Sequence, residues 1–147
     1  MLHHLRVGYG YAEGSLVALA ELINRVTVAL VFWRSGMAKW SSWSSTEYLF
    51  QYEYRVPLLP WEMAAVLATV AELVLPVLLI VGVFARSAGA ALFMVNLVAY
   101  ISYAHVLNER PIGGLDHQIW GVMLLIVAIR GAGWLSLDGA WQWWRQS

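Results

Sequence analysis

Four apolar stretches, 16–38, 61–84, 86–107 and 117–135, run through the 147-residue chain. Each comes close to or exceeds the roughly 20 residues needed to cross a hydrocarbon core about 30 Å thick. Joined by short connections, they predict an all-α protein: an integral membrane antiparallel four-helix bundle with an aromatic-rich interfacial loop between helices 1 and 2. Residues 1–15 form an N-terminal leader, 16–138 the four-span domain, and 139–147 a Trp-rich interfacial tail. The first span is expected to serve as an uncleaved insertion signal, because the leader is too polar for a secretory one.

The polar residues inside these stretches carry the information. In the first span Asn24 and Arg25 follow Glu21 by three and four residues, so all three share one helical face. The order Glu21 then Arg25 favours an intrahelical ion pair, and the face is expected to look away from lipid. In the second span Glu72 is the lone carboxylate of a long apolar run, with Pro76 four residues later. Proline removes one backbone hydrogen bond and frees the carbonyl four residues back, here that of Glu72. A carboxylate and a freed carbonyl at one place point to an internal polar site. The third span opens on the small residues Ser87, Ala88, Gly89, Ala90 and Ala91, which suit close helix packing, and carries Asn96 and His105.

The connections are equally distinctive. Between the first two spans stand Trp40, Trp43, Tyr48, Phe50, Tyr52 and Tyr54, rings that settle at membrane–water interfaces. Two readings fit residues 46–54: an amphipathic helix lying on the membrane, or an ordered lid over the bundle. Pro57 and Pro60 close that segment, and Pro111, Gly113 and Gly114 mark a turn before the last span. Gly131 and Gly133 end the last span.

Composition agrees with the pattern. The chain is 61% hydrophobic and 12% charged, with nine Trp and a mean hydropathy of +0.63. Soluble domains are nearer 45–50% apolar and about 25% charged, so the lipid bilayer is the chain's first partner. Net charge is zero, which gives no field for nucleic acid, and none is expected as a partner. The absence of cysteine excludes thiol catalysis, disulfides and iron–sulfur ligation. His3 and His4 lack a third ligand, no metal site is expected, and the histidine spacing does not identify a haem site. The glutamates lack the Glu-x-x-His pattern of di-iron bundles.

Matching depths at about 1.5 Å per residue places Glu72 level with Thr27, Val98 and Ala128. That predicts a buried polar layer of Glu72, Arg25, Asn96 and Arg130, held by an Arg–carboxylate pair. A second layer toward the aromatic loop holds Arg34, Lys39, His105, Asp116 and His117, with Asp116 placed to orient an imidazole. Buried ion pairs also fix register with no chemistry at all, so a structural role stands beside a functional one for both layers. Arg6, Arg86 and Arg145 on one side balance Lys39, Arg55 and Arg110 on the other. The tight connection at Arg86 and the large aromatic loop favour both termini in the cytoplasm.

From about Arg25 to Asp138 the chain resembles the DoxX family of small four-helix bacterial and archaeal membrane proteins. The resemblance rests on Arg25, Phe32, Gly36 and Lys39 in the first span, and on Glu72, Gly82 and Arg86 around the second. It continues with His105 and the closing Gly133, Ser136 and Asp138. Pro76 departs from it, where a small residue is expected. The resemblance implies an inner-membrane protein linked to redox chemistry, since the family is named for its similarity to the membrane subunit of a thiosulfate:quinone oxidoreductase.

The leading expectation is a small membrane subunit of a redox or respiratory-type complex that binds quinone, with other membrane subunits or further copies of itself as partners. Arg34, His105, Lys39 and His117 are the candidate quinone ligands, and Glu72 with Arg25 holds the bundle or passes protons. The chain carries no recognisable redox centre of its own, so electron transfer needs a partner or a bound cofactor. The alternatives are a purely structural accessory subunit and an oligomeric proton-coupled carrier using Glu72.

Overall fold

The second apolar stretch folds as a helix, Trp61–Val81, whose buried stripe is its small and polar one: Ala65, Thr69, Glu72, Pro76 and Leu79. Its exposed stripe is apolar, with Val66, Val70, Val74 and Val77 all outward. A water-soluble helix reverses this arrangement. Lipid as the outer solvent accounts for it, because small residues allow close packing and polar groups find partners only inside.

The computed structural model describes residues 2–109, 112 and 114–146, with side chains from residue 14 onward except 142, 143, 145 and 146. In chain order these residues form α1 (Leu2–Ser41), α2 (Trp43–Tyr48), a π-helical turn (Leu49–Glu53), α3 (Trp61–Val81), α4 (Ala85–Leu107), α5 (Leu115–Arg130) and α6 (Leu137–Gln146). No strand occurs among them. Arg110, Pro111 and Gly113 lie outside the described residues, as do the side chains of His3, His4, Arg6 and Arg145.

Three helical segments are long and apolar enough to cross a membrane: Gly14–Ser41, Trp61–Val81 and Ala85–Leu107. The expected fourth span, 117–135, is helical only as α5, which has 16 residues and so extends about 24 Å. Gly131 and Gly133, both at positive φ, turn the chain there. The N-terminal stretch expected as a separate leader is helical from Leu2 and continuous with the first span.

The most extensive packing joins α1 to α3 and α4 to α5, with α3–α4 and α1–α5 contacts completing the arrangement. Val28, Ala29 and Phe32 meet Leu79, Ala88, Leu92, Leu124 and Val127 in the main core. A second core forms where Phe50 of the π-helical turn packs on Ala64 and Ala65, flanked by Trp43, Tyr54 and Trp61. The aromatic segment therefore lies over the start of α3, as the lid reading expects.

That second core sets the register of the whole molecule. The first turns of α3 are occupied by the lid, and Gly36, five residues before the end of α1, meets Glu72 about three turns into α3. A Cβ added to Gly36 would sit 2.9 Å from the Glu72 carbonyl carbon and 3.0 Å from its oxygen. Only glycine lets α1 approach this closely, and it covers the carbonyl that Pro76 leaves without a helical donor. Gly36, rather than Thr27, is thus level with Glu72, a shift of nine residues or about 14 Å along α1.

Candidate functional site

The shift in register gives Glu72 a different partner. Its Oε2 accepts a 2.6 Å hydrogen bond from Lys39 Nζ, which also donates to Ser35 Oγ at 2.8 Å. Ser35 and Lys39 are one turn apart on α1, on either side of Gly36. The Glu72 side chain is 6% exposed and that of Lys39 17%. Two charges so withdrawn from solvent are tolerable only as a bonded pair.

The lid is tied down around this pair. Thr46 Oγ1, buried, lies 3.1 Å from the Lys39 carbonyl and 3.2 Å from that of Ser42. The Arg55 amide donates to the Ser102 carbonyl of α4 at 3.0 Å. Tyr54 packs edge-on against Phe50 and against Tyr103 of α4, with ring centroids 4.8 and 5.1 Å apart. The Tyr103 hydroxyl donates to Glu53 Oε2 at 3.4 Å, and His105 stands against the Tyr103 ring. Burial pushes the Tyr54 hydroxyl above its ordinary pKa, and the neighbouring Tyr103, Glu72 and Glu53 add to that rise.

On the outer side of the same α1–α3 seam is an open apolar groove of about 460 Å³. Trp33, Met37 and Trp40 of α1 face Leu73, Val74 and Val77 of α3 across it. Met37 and Trp40 neighbour Gly36 and Lys39 in the chain, and Leu73 neighbours Glu72. An open apolar groove and a charged pair therefore lie along one helix seam.

The other residues of the expected buried layer do not gather here. Arg25 lies level with Gly82, near the opposite end of α3, where a Cβ on Gly82 would collide with the guanidinium. Its Nη2 donates to the Leu135 carbonyl at 2.8 Å, while Nε and Nη1 are buried without a hydrogen-bond partner among the described residues. Arg130 pairs at 2.6 Å with Glu21, which therefore does not form the expected pair with Arg25. Asn96 binds His117 twice: its Nδ2 donates to the His117 carbonyl at 2.8 Å, and its Oδ1 lies 2.9 Å from His117 Nδ1.

The second expected layer is also divided. His117 is held by Asn96 and by the rings of Trp120 and Tyr100, apart from His105. Asp116 is exposed and bonds neither imidazole among the described residues. Arg34 is exposed and makes no ion pair there. Of the four candidate ligands, Lys39 and His105 border the lid cluster, and no group of three or more His, Asp and Glu among the described residues is placed to hold a metal. Ser35, Glu53 and Tyr103 escaped the sequence reading, and Tyr54 entered it only as one ring of the aromatic segment. Only the spacing of Ser35 and Lys39, one turn apart, was available to indicate any of them.

The closing segment makes a third construction. Phe84, in the left-handed region at φ 49°, starts α4 without a side-chain cap of its own. Asp138 caps it from the far end of the chain, accepting from the Phe84 amide at 3.2 Å and the Ala85 amide at 3.1 Å. The Asp138 amide donates in turn to the Gly82 carbonyl at 2.9 Å. Gly82 needs its φ of 74° to end α3 and its missing Cβ to admit Arg25.

Comparison with known proteins bears on these same residues. The DoxX family model matches residues 20–105, which take in both the Lys39–Glu72 pair and the Arg25–Gly82 contact. An uncharacterized protein of Haemophilus influenzae is 34% identical over 130 residues, covering 85% of this chain and 83% of its own. No solved structure matches the chain.

Proposed function

The chain belongs to the DoxX family of membrane proteins, and from that footing we propose a four-span membrane subunit that holds a quinone-class ligand at the α1–α3 seam. The α5 helix serves as the fourth span, its exposed Val122, Leu125, Ile126 and Ile129 facing lipid. Its shortfall against the core thickness is met by tilt or local thinning. Both termini lie on one side, the cytoplasmic one, and the lid on the other. A membrane oxidoreductase, in the bacterial inner membrane, is the partner complex.

The observation that carries this reading is that the enclosed Lys39–Glu72 pair and an open apolar groove occupy the same α1–α3 seam, one on its inner and one on its outer side. A quinone has a long apolar tail and a head with two carbonyls. The tail fits a groove walled by Trp33, Met37 and Val77, open to the hydrocarbon. The head needs a donor for its carbonyl and, once reduced, an acceptor for its hydroxyl; Lys39 Nζ and a Glu72 oxygen supply one of each. His105 borders the same cluster through Tyr103. Among the original candidates His117 takes a structural part with Asn96, and Arg34 guides headgroups at the interface. The bound ligand supplies the redox step, and these residues orient it.

A second reading has a specific support. Lys39 Nζ already bonds Ser35 and Glu72, so the pair works equally as a helix joint in an accessory subunit. Titrating a short-chain quinone into the protein in nanodiscs separates the two. The ligand reading expects saturable quenching of groove tryptophan fluorescence, weakened about tenfold or more in Glu72→Gln, as loss of a buried charged contact predicts. Equal affinity in wild type and variant leaves the joint as the only role.

A further inference from the structure

We propose that the end of the α4–α5 pair away from the lid is a headgroup site for an anionic lipid, with Arg86 as the phosphate ligand and Arg130 as a second cation. This goes beyond the ligand reading, which concerns the other end of the bundle, and does not depend on it.

Close packing fixes the register of the two helices here. A Cβ added to Gly89 would stand 3.2 Å from the Ala128 amide nitrogen and 3.2 Å from Val127 Cγ1, so α4 and α5 touch at that height. Within one turn of the contact come Arg86 and Arg130, the second residue of α4 and the last of α5. Arg86 lies across the end of α5: a Cβ on Gly131 would meet its Nε at 3.2 Å and its Cγ at 3.5 Å. The carbonyl end of α5 favours cations, which steadies both guanidinium groups. Arg86 is nevertheless exposed and makes no hydrogen bond or ion pair among the described residues. Arg130 bonds Glu21 through Nε, its side chain is 56% exposed, and its other N–H donors bond nothing among the described residues.

The carboxylates at this end already have partners. Asp138 accepts from the Phe84 and Ala85 amides, and Glu21 from Arg130. Arg25, the third arginine, is buried, bonded to the Leu135 carbonyl and out of reach of lipid. Three arginines against two carboxylates leave one positive charge without a counterpart among the described side chains. Arg86 stands at the edge of a membrane span, which begins at Ala85. Met94, Leu97 and Ile101 continue its face along α4, and Val122, Ile126 and Ile129 that of Arg130 along α5, all of them exposed. A surplus cation above two apolar strips fits a lipid that has a phosphate and a net negative charge. Arginine bonds phosphate bidentately, and basic sites between spans take such headgroups. A zwitterionic lipid would bring its own cation and leave the surplus in place.

The test is native mass spectrometry of the full-length protein in detergent, titrated with phosphatidylglycerol and, in parallel, with phosphatidylcholine of the same chains. The wild type is expected to bind phosphatidylglycerol several-fold more tightly. Arg86→Gln weakens that binding about fivefold, the usual effect of one arginine beside an anionic headgroup, and leaves phosphatidylcholine binding unchanged. Arg86→Lys keeps the charge and most of the preference, which separates loss of charge from a folding defect. Adding Arg130→Gln and Glu21→Gln together to Arg86→Gln, so that no carboxylate is stranded, weakens binding again. Arg55→Gln, the same change on the lid side, has no effect, and circular dichroism is unchanged throughout. The proposal is overturned if the wild type binds the two lipids alike, or if Arg86→Gln binds phosphatidylglycerol as the wild type does. It is equally overturned if Arg55→Gln weakens binding as much as Arg86→Gln, or if inorganic phosphate displaces the lipid at equal concentration, the mark of a site for free anions.

Discussion

At the scale of single residues the structure turns on Glu72 and Lys39. Both side chains are nearly enclosed and bonded at 2.6 Å, so neither charge is tolerable without the other. Glu72→Ala leaves an ammonium buried beside Ser35 and is expected to destabilise the protein by about 3–5 kcal/mol. Lys39→Met combined with Glu72→Leu removes both charges and recovers most of that loss. Thermal unfolding in detergent of the single and double variants checks this, and a double variant no better than Glu72→Ala contradicts it. Arg25 is as buried as Glu72 but answers to the closing segment, through Leu135 and the Gly82 turn.

At the scale of elements the controlling contact is α1 on α3. Gly36 lies against the Glu72 carbonyl, so a methyl group there must push the helices apart. Gly36→Ala is expected to cost about 1–3 kcal/mol, the usual range for overpacking, and to lengthen the Lys39–Glu72 bond. A drop in the unfolding midpoint measures the first effect, and wild-type stability would show that the helices are not so close. The helices themselves were legible in the sequence, because apolar length and helical spacing of polar residues are local properties. Register was not. Depth matching assumed that the end of α1 and the start of α3 lie level at the membrane surface, whereas Phe50 and Trp43 occupy the first turns of α3. That one displacement took Arg25 away from Glu72 and put Lys39 in its place. The Glu21–Arg25 spacing misled for a related reason: Arg130 of α5 competes for Glu21, and only the tertiary fold reveals it. The residues that carry the family resemblance fared better, since Gly36, Lys39 and Glu72 meet at one end and Arg25, Gly82, Ser136 and Asp138 at the other.

At the scale of the molecule, the two ends of the α1–α3 seam divide the work. One end is a clasp, where Asp138 ties the last segment to the start of α4. Asp138→Ala removes a two-amide cap and is expected to cost about 1 kcal/mol, with faster hydrogen exchange at Phe84 and Ala85. Unchanged exchange at those amides would mean the clasp holds by other contacts. The other end, under the aromatic lid, pairs charge with an apolar groove and is the proposed ligand site. Mapping where a photoreactive quinone attaches to the protein in nanodiscs tests that claim most directly. The account predicts attachment on α1 between Trp33 and Trp40 and on α3 between Leu73 and Leu78, lost in Lys39→Met and Glu72→Gln alike. Attachment spread over all lipid-facing helices, indifferent to both substitutions, would contradict it.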